Sequence, residues 1–317
     1  MAQRTQRRGI VTFLLVAVAI IIACGVALTP PASPTAFDPT KALLELQGTA
    51  MALQLTQAAL NNAQPQAQAA PAATLGAPAA PPEPLPAPTD DLEARIKAAK
   101  ILVYENTDES GIGMWIQDAI EAMGIQYTQT GSYSGHFMEY LNSGVKYDLI
   151  IVGAEDKDRI SGEFWDVIST RLTRDKAALI AEVWYLDREA NGPINKILGP
   201  CGVRYRKDWP LAESIYWWVP THPVFNEPNV VLPLLHYNRY WANQTGDKLM
   251  LGGGGDAVML AGLSASPSTG EGVLATCFDG RVIIQTFSDH DYRQAEVMPL
   301  WQNYIHYTLK NHFAVAP

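Results

Sequence analysis

The feature that most constrains this chain is an alternation of short apolar runs with amphipathic segments in the first part of its folded region. The apolar runs cover residues 100–104, 125–130, 147–153 and 177–184. The segments with helical spacing cover residues 115–123, 136–141 and 164–172. Strands that alternate with helices in this way are typical of right-handed βαβ units. The sequence therefore predicts an α/β fold, with a doubly wound and mostly parallel sheet that has helices on both faces.

The second half of the region has a different pattern. Strand-like runs follow one another at 214–219, 257–263, 272–278 and 281–287, and residues 299–309 have the spacing of a closing amphipathic helix. Asp279 and Gly280, between the last two runs, are typical of a β-hairpin turn. We therefore expect the sheet to continue with antiparallel additions at one edge.

The N-terminus predicts attachment to a membrane. Residues 9–28 are uncharged and apolar over about the 20 residues that a spanning helix needs, and Arg4, Arg7 and Arg8 precede them. The positive-inside rule then places the rest of the chain outside the cytoplasm, on the periplasmic or cell-surface side of the cytoplasmic membrane. Residues 1–29 fit an uncleaved signal anchor, a lipoprotein signal in which Cys24 carries the lipid, or a twin-arginine export signal.

A spacer is expected between this segment and the folded region. Residues 63–88 contain ten alanines and eight prolines. Such a composition cannot bury enough apolar surface to fold, so residues 30–90 are predicted to be an extended tether, and 91–317 a single domain.

Charge and aromatic content indicate the class of partner. Residues 1–90 are neutral overall, so the net charge of −9 belongs to residues 91–317. An acidic domain argues against nucleic acid as a partner. Aromatic residues cluster at 216–218, 237 and 240–241, and such side chains stack on sugars or dock proteins. Besides the membrane itself, we expect an extracytoplasmic protein or a carbohydrate as the partner, and no cofactor.

Three motifs carry a family resemblance. They are T-H-P-V-F at 221–225, G-R-V at 280–282 and S-D-H at 288–290. Over about residues 98–312 the sequence resembles the ThuA-like branch of the class I glutamine amidotransferase-like superfamily. The resemblance implies a flavodoxin-like first half, and it places His222 and His290 at positions where that branch has histidines.

The resemblance to the superfamily also implies a nucleophilic cysteine at the sharp turn after the strand that matches residues 177–181. This chain has Glu182, Val183, Trp184 and Tyr185 there, with no cysteine, serine or glycine. The covalent mechanism is therefore expected to be lost, which favours a non-catalytic binding or assembly module. The alternative is a hydrolase or isomerase acting on a carbohydrate-like small molecule, with His290 as base and Glu182 or Glu155 assisting.

The candidate site residues follow the ends of the strands, because ligands of doubly wound sheets bind at the carboxyl edge. The catalytic candidates are His290, Glu182 and His222. The ligand-binding candidates are Glu105, Asn106, Glu155, Trp184, Asp289, Asp291 and Arg293. Each has a structural alternative: the aspartates could cap the following segment, and His222 could be an ordinary loop residue. No His or Cys spacing typical of a metal site is present, so no metal is predicted.

Two cysteines lie in the folded region. Cys201 lies in a predicted turn, G-P-C-G at 199–202, and Cys277 lies in a predicted strand. They are the remaining candidates for a nucleophile. Alternatively, both could be small buried residues, or they could form a disulfide outside the cytoplasm.

Overall fold

The computed structural model describes residues 89–107, 112–155, 161–209, 213–237, 240–241 and 246–316. The apolar run, Cys24 and the tether up to residue 88 lie outside the described residues. Within the described ranges, no helix has both the length and the apolar character needed to cross a bilayer.

The first half consists of strands and helices in alternation, as the sequence predicted. The strands are β1 (Ile101–Asn106), β2 (Tyr127–Gln129), β3 (Leu149–Ala154) and β4 (Ala178–Val183). The helices are α1 (Thr89–Lys97), α2 (Trp115–Ala122), α3 (Ser134–Asn142) and α4 (Phe164–Thr170), and α4 continues into a π-helical turn at Arg171–Asp175.

The second half consists mainly of strands. They are β5 (Val203–Trp209), β6 (Tyr216–Trp217), β7 (Gly246–Leu251), β8 (Val258–Gly262), β9 (Gly272–Cys277) and β10 (Val282–Gln285). The helices are α5 (Leu186–Glu189), α6 (Asn195–Cys201) and the long closing helix α7 (Gln294–Val315), with 3-10 turns at Pro223–Phe225 and Asp289–Asp291.

One sheet joins both halves, in the order β2-β1-β3-β4-β10-β9-β7-β5. Strands β2, β1, β3, β4 and β10 are parallel, whereas β9 is antiparallel to β10, and β7 and β5 continue antiparallel. The predicted parallel sheet with antiparallel additions at one edge is thus confirmed. The hairpin at Asp279 and Gly280 is present, and Phe278, Asp279 and Gly280 all have positive φ.

Several elements were not predicted. Helix α1 begins at Thr89, within the predicted tether, and the sequence analysis missed α6, β5 and β7. The segment expected to turn around Cys201 is the end of α6, and Gly202 ends that helix with φ 90°. Cys201 forms a disulfide with Cys277 on β9, and both residues are buried, so neither is a free nucleophile in this structure.

Both faces of the sheet are covered by apolar side chains. Alternate residues of β1 and β3 point to opposite faces, so Val103 and Ile151 pack in one layer with α2 and α7, while Tyr104 and Val152 pack in the other with α3 and α4. The parallel register aligns the strand ends, with Asn106 beside Ala154 and Glu182 beside both Gly153 and Gln285. Polar residues that end these strands are therefore brought together at one edge.

Candidate functional site

Carboxylate side chains from three strands meet at the carboxyl edge of the sheet. Glu155 follows β3, Glu182 lies near the end of β4, and Asp289 follows β10. One oxygen of each lies within 4.8 Å of an oxygen of the other two, and all three side chains are buried. We call these three residues the carboxylate cluster.

Glu155 is the centre of the cluster. Its oxygens accept hydrogen bonds from the Ser288 hydroxyl at 2.8 and 3.1 Å, the Asp289 backbone N–H at 3.0 Å and the Trp241 indole N–H at 2.8 Å. The His290 Nδ1 atom lies 2.9 Å from Glu155 Oε1. Burial opposes ionisation of Glu155, but the hydrogen bond and positive charge of His290 outweigh it and hold the pKa of Glu155 below its ordinary value. Glu155 is thus the ionised member of the cluster.

Glu182 and Asp289 are shifted in the opposite direction. Burial, followed by the charges of Asp289 and Glu155, raises the pKa of Glu182 well above its ordinary value. Burial and the charge of Glu155 raise the pKa of Asp289 to about 7. Three carboxylates this close cannot all be ionised, so the cluster retains protons at neutral pH.

Asp289 also receives hydrogen bonds from the helix and strand behind it. The Gln285 amide donates to its Oδ1 at 2.7 Å, and the Trp301 indole N–H of α7 donates to its Oδ2 at 2.6 Å. The Asp289 backbone N–H donates to Glu182 at 3.1 Å. Both oxygens of Asp289 therefore bond within the protein.

His290 lies between the cluster and a surface cleft. Its ring is only 6% exposed, stacks on Trp115 with a centroid distance of 4.1 Å, and has Nε2 3.3 Å from the Gly113 carbonyl oxygen. Burial disfavours the imidazolium, but the hydrogen bond and charge of Glu155 outweigh it and raise the pKa of His290. His290 is therefore the part of this polar network that reaches the cleft.

The cleft has a volume of about 450 Å³ and a largely aromatic wall. Its lining includes Trp115, Tyr237, Tyr240, His290 and Arg293. The Tyr237 ring is 62% exposed, and the Arg293 guanidinium lies 4.8 Å from its centroid. An exposed aromatic ring with a cation over one face provides a flat surface on which a ligand can stack.

Two further predicted ligand-binding residues lie at the same edge but act within the protein. Glu105 accepts hydrogen bonds from the backbone N–H groups of Ile116 and Gln117, at 3.0 and 3.2 Å, and so caps the N-terminus of α2. Burial raises its pKa to about 7. Asn106 is fully buried, and its carbonyl oxygen accepts from the Glu155 backbone N–H. Both side chains are enclosed by the protein.

The turn after β4 is filled by aromatic rings. Trp184 is buried, donates its indole N–H to the Glu155 carbonyl oxygen at 3.1 Å and packs against Trp241 at 5.2 Å. Tyr185 is buried beside it, at 3.6 Å between ring centroids. The position at which the family resemblance implies a nucleophile therefore contains packed side chains.

The structure does not bring His222 to this edge. His222 precedes the 3-10 turn Pro223–Phe225, where its Nδ1 accepts from the Val224 N–H, and its ring packs on Tyr307 at 4.9 Å. Tyr307 lies 13 residues along α7 from Gln294, which lines the cleft, so about 20 Å of helix separates them. Burial lowers the pKa of His222. Its contacts match the loop-residue alternative.

Asp291 and Arg293 flank the cleft. Asp291 is buried, and its Oδ1 accepts the Tyr240 backbone N–H at 3.0 Å, which fixes the aromatic segment to the 3-10 turn. Arg293 is more exposed and lies 3.4 Å from Glu296 on α7. Arg293 therefore belongs to the cleft surface, and Asp291 supports it from behind.

Sequence reasoning missed four members of the network, namely Gln285, Ser288, Trp241 and Trp301. Ser288 begins the S-D-H motif that contains His290, and Gln285 lies three residues before that motif, so proximity to His290 was the available signal. The two tryptophans come from distant segments, and only the tertiary structure shows their bonds to Asp289 and Glu155.

Carboxylates are ligands for hard cations, and two acidic groups in the described residues have suitable spacing. In the carboxylate cluster, N–H and O–H groups of the protein already bond to the oxygens of Glu155 and Asp289. The second group consists of Asp187, Asp208 and Asp247, of which Asp247 accepts the Asp187 backbone N–H. Neither arrangement identifies a metal.

Comparisons with known proteins give little beyond this geometry. No protein-family model matches the chain, and no curated protein matches it. Among solved structures, the chain is similar to one described as a ThuA-like protein from Parabacteroides merdae. The two have 10% sequence identity and a TM-score of 0.40, and the match covers 67% of this chain and 90% of that one. This similarity names the group that the sequence motifs resemble, but at this score it carries no argument about function.

Proposed function

We propose that this chain is a membrane-tethered extracytoplasmic binding module, in which a degenerate ThuA-like domain binds a carbohydrate-containing partner in the aromatic cleft beside His290. The domain would act without covalent catalysis, and the tether would hold it away from the membrane surface.

The observation that carries this proposal is the enclosure of the carboxylates behind His290. Glu155, Glu182 and Asp289 are each at most 3% exposed. Their oxygens accept hydrogen bonds from the Asp289 backbone N–H, from the indoles of Trp241 and Trp301, from the Gln285 amide and from the Ser288 hydroxyl. Carboxylates that serve as acid or base must reach the substrate directly or through one water. These instead support the cleft wall, so the surface offered to a ligand consists of aromatic rings, His290 and Arg293.

Candidate nucleophiles are also enclosed. Trp184 and Tyr185 fill the turn where a nucleophile would lie, Cys201 and Cys277 are bonded to each other, and the buried Ser288 hydroxyl donates to Glu155. A binding role requires none of these groups to be reactive.

The location outside the cytoplasm has independent support from the disulfide. Cys201 and Cys277 are 76 residues apart in sequence, and structural disulfides of this kind persist in oxidising compartments. This agrees with the orientation that Arg4, Arg7 and Arg8 predict for the apolar run.

Ligand titration tests the proposed function. Oligosaccharides released from the envelope of the source organism would be titrated against the full chain, with intrinsic tryptophan fluorescence as the readout. Stacking of one sugar ring on an aromatic side chain contributes on the order of 1 kcal/mol. We therefore expect the double variant Tyr237→Ala with Tyr240→Ala to weaken binding at least tenfold.

The matched control is Tyr140→Ala, because Tyr140 is a comparably exposed tyrosine on α3 and does not line the cleft. The same variants would be compared in pull-downs from solubilised membranes. A domain that captures neither oligosaccharide nor protein, or that binds equally well with and without Tyr237 and Tyr240, would contradict the proposal.

A hydrolase or isomerase is the second candidate, and one observation favours it. The His290 ring is held by Glu155 through Nδ1 and lies at the cleft wall, as a general base is held by a carboxylate. If the domain is an enzyme, His290→Gln should abolish turnover of a bound oligosaccharide while leaving its affinity within a few-fold. Under the binding proposal, the unchanged chain leaves the oligosaccharide intact.

A further inference from the structure

A second concave surface lies between β7 and β8, at the opposite end of the sheet order from β2. Both strands are next to β9, but β7 pairs with it only at Leu249 and Gly272, whereas β8 pairs along most of its length. Strand β7 therefore diverges from β9, and a groove of about 410 Å³ is left between β7 and β8. We call this the fork groove.

The fork groove is lined mainly by apolar side chains. Among the lining residues, Met250 and Leu251 come from β7, Val258 and Met259 come from β8, and Trp218 and Pro267 come from the segments around them. Leu251 is 53% exposed and Val258 46% exposed, so apolar surface remains in contact with water. Methionine side chains adapt to ligands of variable shape, and removing exposed apolar surface from water favours binding.

Two arginines of β5 lie next to the groove: Arg206 is beside Gly270, which lines it, and Arg204 is beside Gly252, which follows the lining residue Leu251. A Cβ atom at Gly270 would lie 3.2 Å from the Arg206 side chain, and one at Gly252 would lie 2.7 Å from the Arg204 side chain. Both glycines adjoin or line the groove, and their lack of a side chain leaves space for the arginine stems. Arg204 donates to the Gly252 carbonyl oxygen at 3.3 Å. Within the part of the chain that the structure describes, neither arginine forms an ion pair with a carboxylate.

The combination of an apolar floor and unneutralised arginines indicates the chemistry of the ligand. A volume of several hundred Å³ with a mostly apolar lining and a few polar groups is typical of small-molecule sites. Guanidinium groups bind carboxylates and phosphates through paired hydrogen bonds. In a domain with a net charge of −9, two arginines beside an apolar groove favour an anion with an apolar tail over an uncharged apolar ligand.

We propose that the fork groove binds an amphiphile with a single alkyl chain and an anionic head group. The chain lies on Met250, Val258 and Met259, and the head group pairs with Arg204 and Arg206. This site is separate from the cleft beside His290 and does not depend on the function proposed for that cleft.

Calorimetric titration of the full chain in phosphatidylcholine nanodiscs tests this proposal, with empty nanodiscs as the blank. The probes are laurate and dodecanol, which have equal chain length and differ in head-group charge at pH 8. We expect laurate to bind at least tenfold more tightly than dodecanol. The double variant Arg204→Ala with Arg206→Ala should weaken laurate binding at least tenfold and leave dodecanol binding within twofold.

Lys207→Ala is the matched control, because Lys207 is an exposed cation on the same strand and pairs across to Lys248. It should leave laurate binding unchanged. Val258→Asp places a charge on the apolar wall at a half-exposed position, and it should abolish laurate binding with an unchanged circular dichroism spectrum.

Three results would overturn the proposal. The first is the absence of laurate binding at millimolar concentration. The second is equal affinity for laurate and dodecanol, or an equal loss of laurate affinity in Lys207→Ala and in the double arginine variant. The third is a dimer in analytical ultracentrifugation that Val258→Asp dissociates, since a second copy would then cover the groove.

Discussion

The Nδ1 atom of His290 lies 2.9 Å from Oε1 of Glu155, and both side chains are buried between the sheet and the cleft. The same carboxylate accepts hydrogen bonds from the backbone of Asp289 and from the indole of Trp241. One carboxylate thus joins three parts of the chain, namely the residues after β3, the residues after β10 and the aromatic segment around Trp241. A change at Glu155 is expected to affect both the stability of the domain and the position of the cleft wall.

Replacement of Glu155 by glutamine should destabilise the domain. The charge partner of His290 is lost, and the amide cannot accept all of the bonds from Ser288, Asp289 and Trp241. Removing one partner of a buried ion pair costs about 3 kcal/mol or more. Urea unfolding followed by circular dichroism would measure the loss. Glu139→Gln, at an exposed site on α3, is the control and should change the free energy of unfolding by less than about 0.5 kcal/mol. Equal stabilities of the two variants would show that the pair with His290 is unimportant.

Stability should fall as the pH rises from about 5 to 8.5. Burial raises the pKa of Glu105 and Asp289 to about 7 and that of Asp247 to about 8. The folded chain therefore keeps protons that the unfolded chain loses near pH 4, and stability decreases with pH where the folded state binds more protons. The raised pKa of His290 acts in the same direction, whereas the lowered pKa of Glu155 acts only below this window. Thermal unfolding scans should give a midpoint several °C higher at pH 5.5 than at pH 8.5, and a flat or rising profile would contradict these shifts.

Asp247 provides a separate test of why stability should fall as the pH rises. Asp247 is buried, its Oδ2 accepts the Asp187 backbone N–H at 3.0 Å, and burial dominates its pKa shift. Asparagine resembles the protonated carboxyl and cannot ionise. We expect Asp247→Asn to stabilise the domain at pH 8.5 and to leave it nearly unchanged at pH 5.5, which would reduce the difference between the two midpoints. Glu139→Gln, at the exposed site on α3, should leave the difference between the two midpoints as it is.

The disulfide between Cys201 and Cys277 should contribute substantially to stability. It closes a loop with a sequence separation of 76 residues, for which the chain-entropy estimate is about 4 kcal/mol. Replacing both cysteines by alanine should lower the free energy of unfolding by a similar amount. A thiol reductant should destabilise the unchanged chain and leave the double variant as it is, which separates loss of the bond from loss of the two side chains. Detection of two free thiols at positions 201 and 277 in the protein isolated without reductant would contradict both the bond and the proposed compartment.

The sequence was sufficient for the parallel half of the sheet because its signals are local. The buried strands β1, β3 and β4 are continuous apolar runs, and each connecting helix has its own amphipathic spacing. The missed strand β5 alternates charged residues with Tyr205 on an edge, and a bulge between Tyr205 and Lys207 interrupts its register. Edge strands with charged residues have a weak sequence signal because only one side is covered. Helix α6 contains Pro200 beside two glycines, a pattern that normally predicts a turn.

Part of the site could be predicted once the parallel strands were located in the sequence. Glu155, Glu182 and Asp289 are close together because parallel strands end at one edge, and this rule needs no side-chain detail. The sequence could not show whether the carboxylates face solvent or the interior, since that depends on Trp184, Trp241 and Trp301 from three separate segments. It also could not place His222, because residues 218–237 have no strand register to fix their path and form turns and irregular backbone around the 3-10 turn Pro223–Phe225.

Glu105 allows a direct separation of structural and ligand-binding roles at this edge. The sequence predicts a ligand-binding residue, whereas in the structure both oxygens cap α2 by accepting the N–H groups of Ile116 and Gln117. Loss of such a cap costs about 1–2 kcal/mol. We expect Glu105→Ala to lower the free energy of unfolding by at least this amount, with Glu105→Gln intermediate because its amide oxygen can still accept one of the two bonds. Affinity for a ligand of the cleft should remain within about twofold in Glu105→Gln, measured at a temperature where the variant is folded. A stable variant with weakened binding would instead place Glu105 in contact with the ligand.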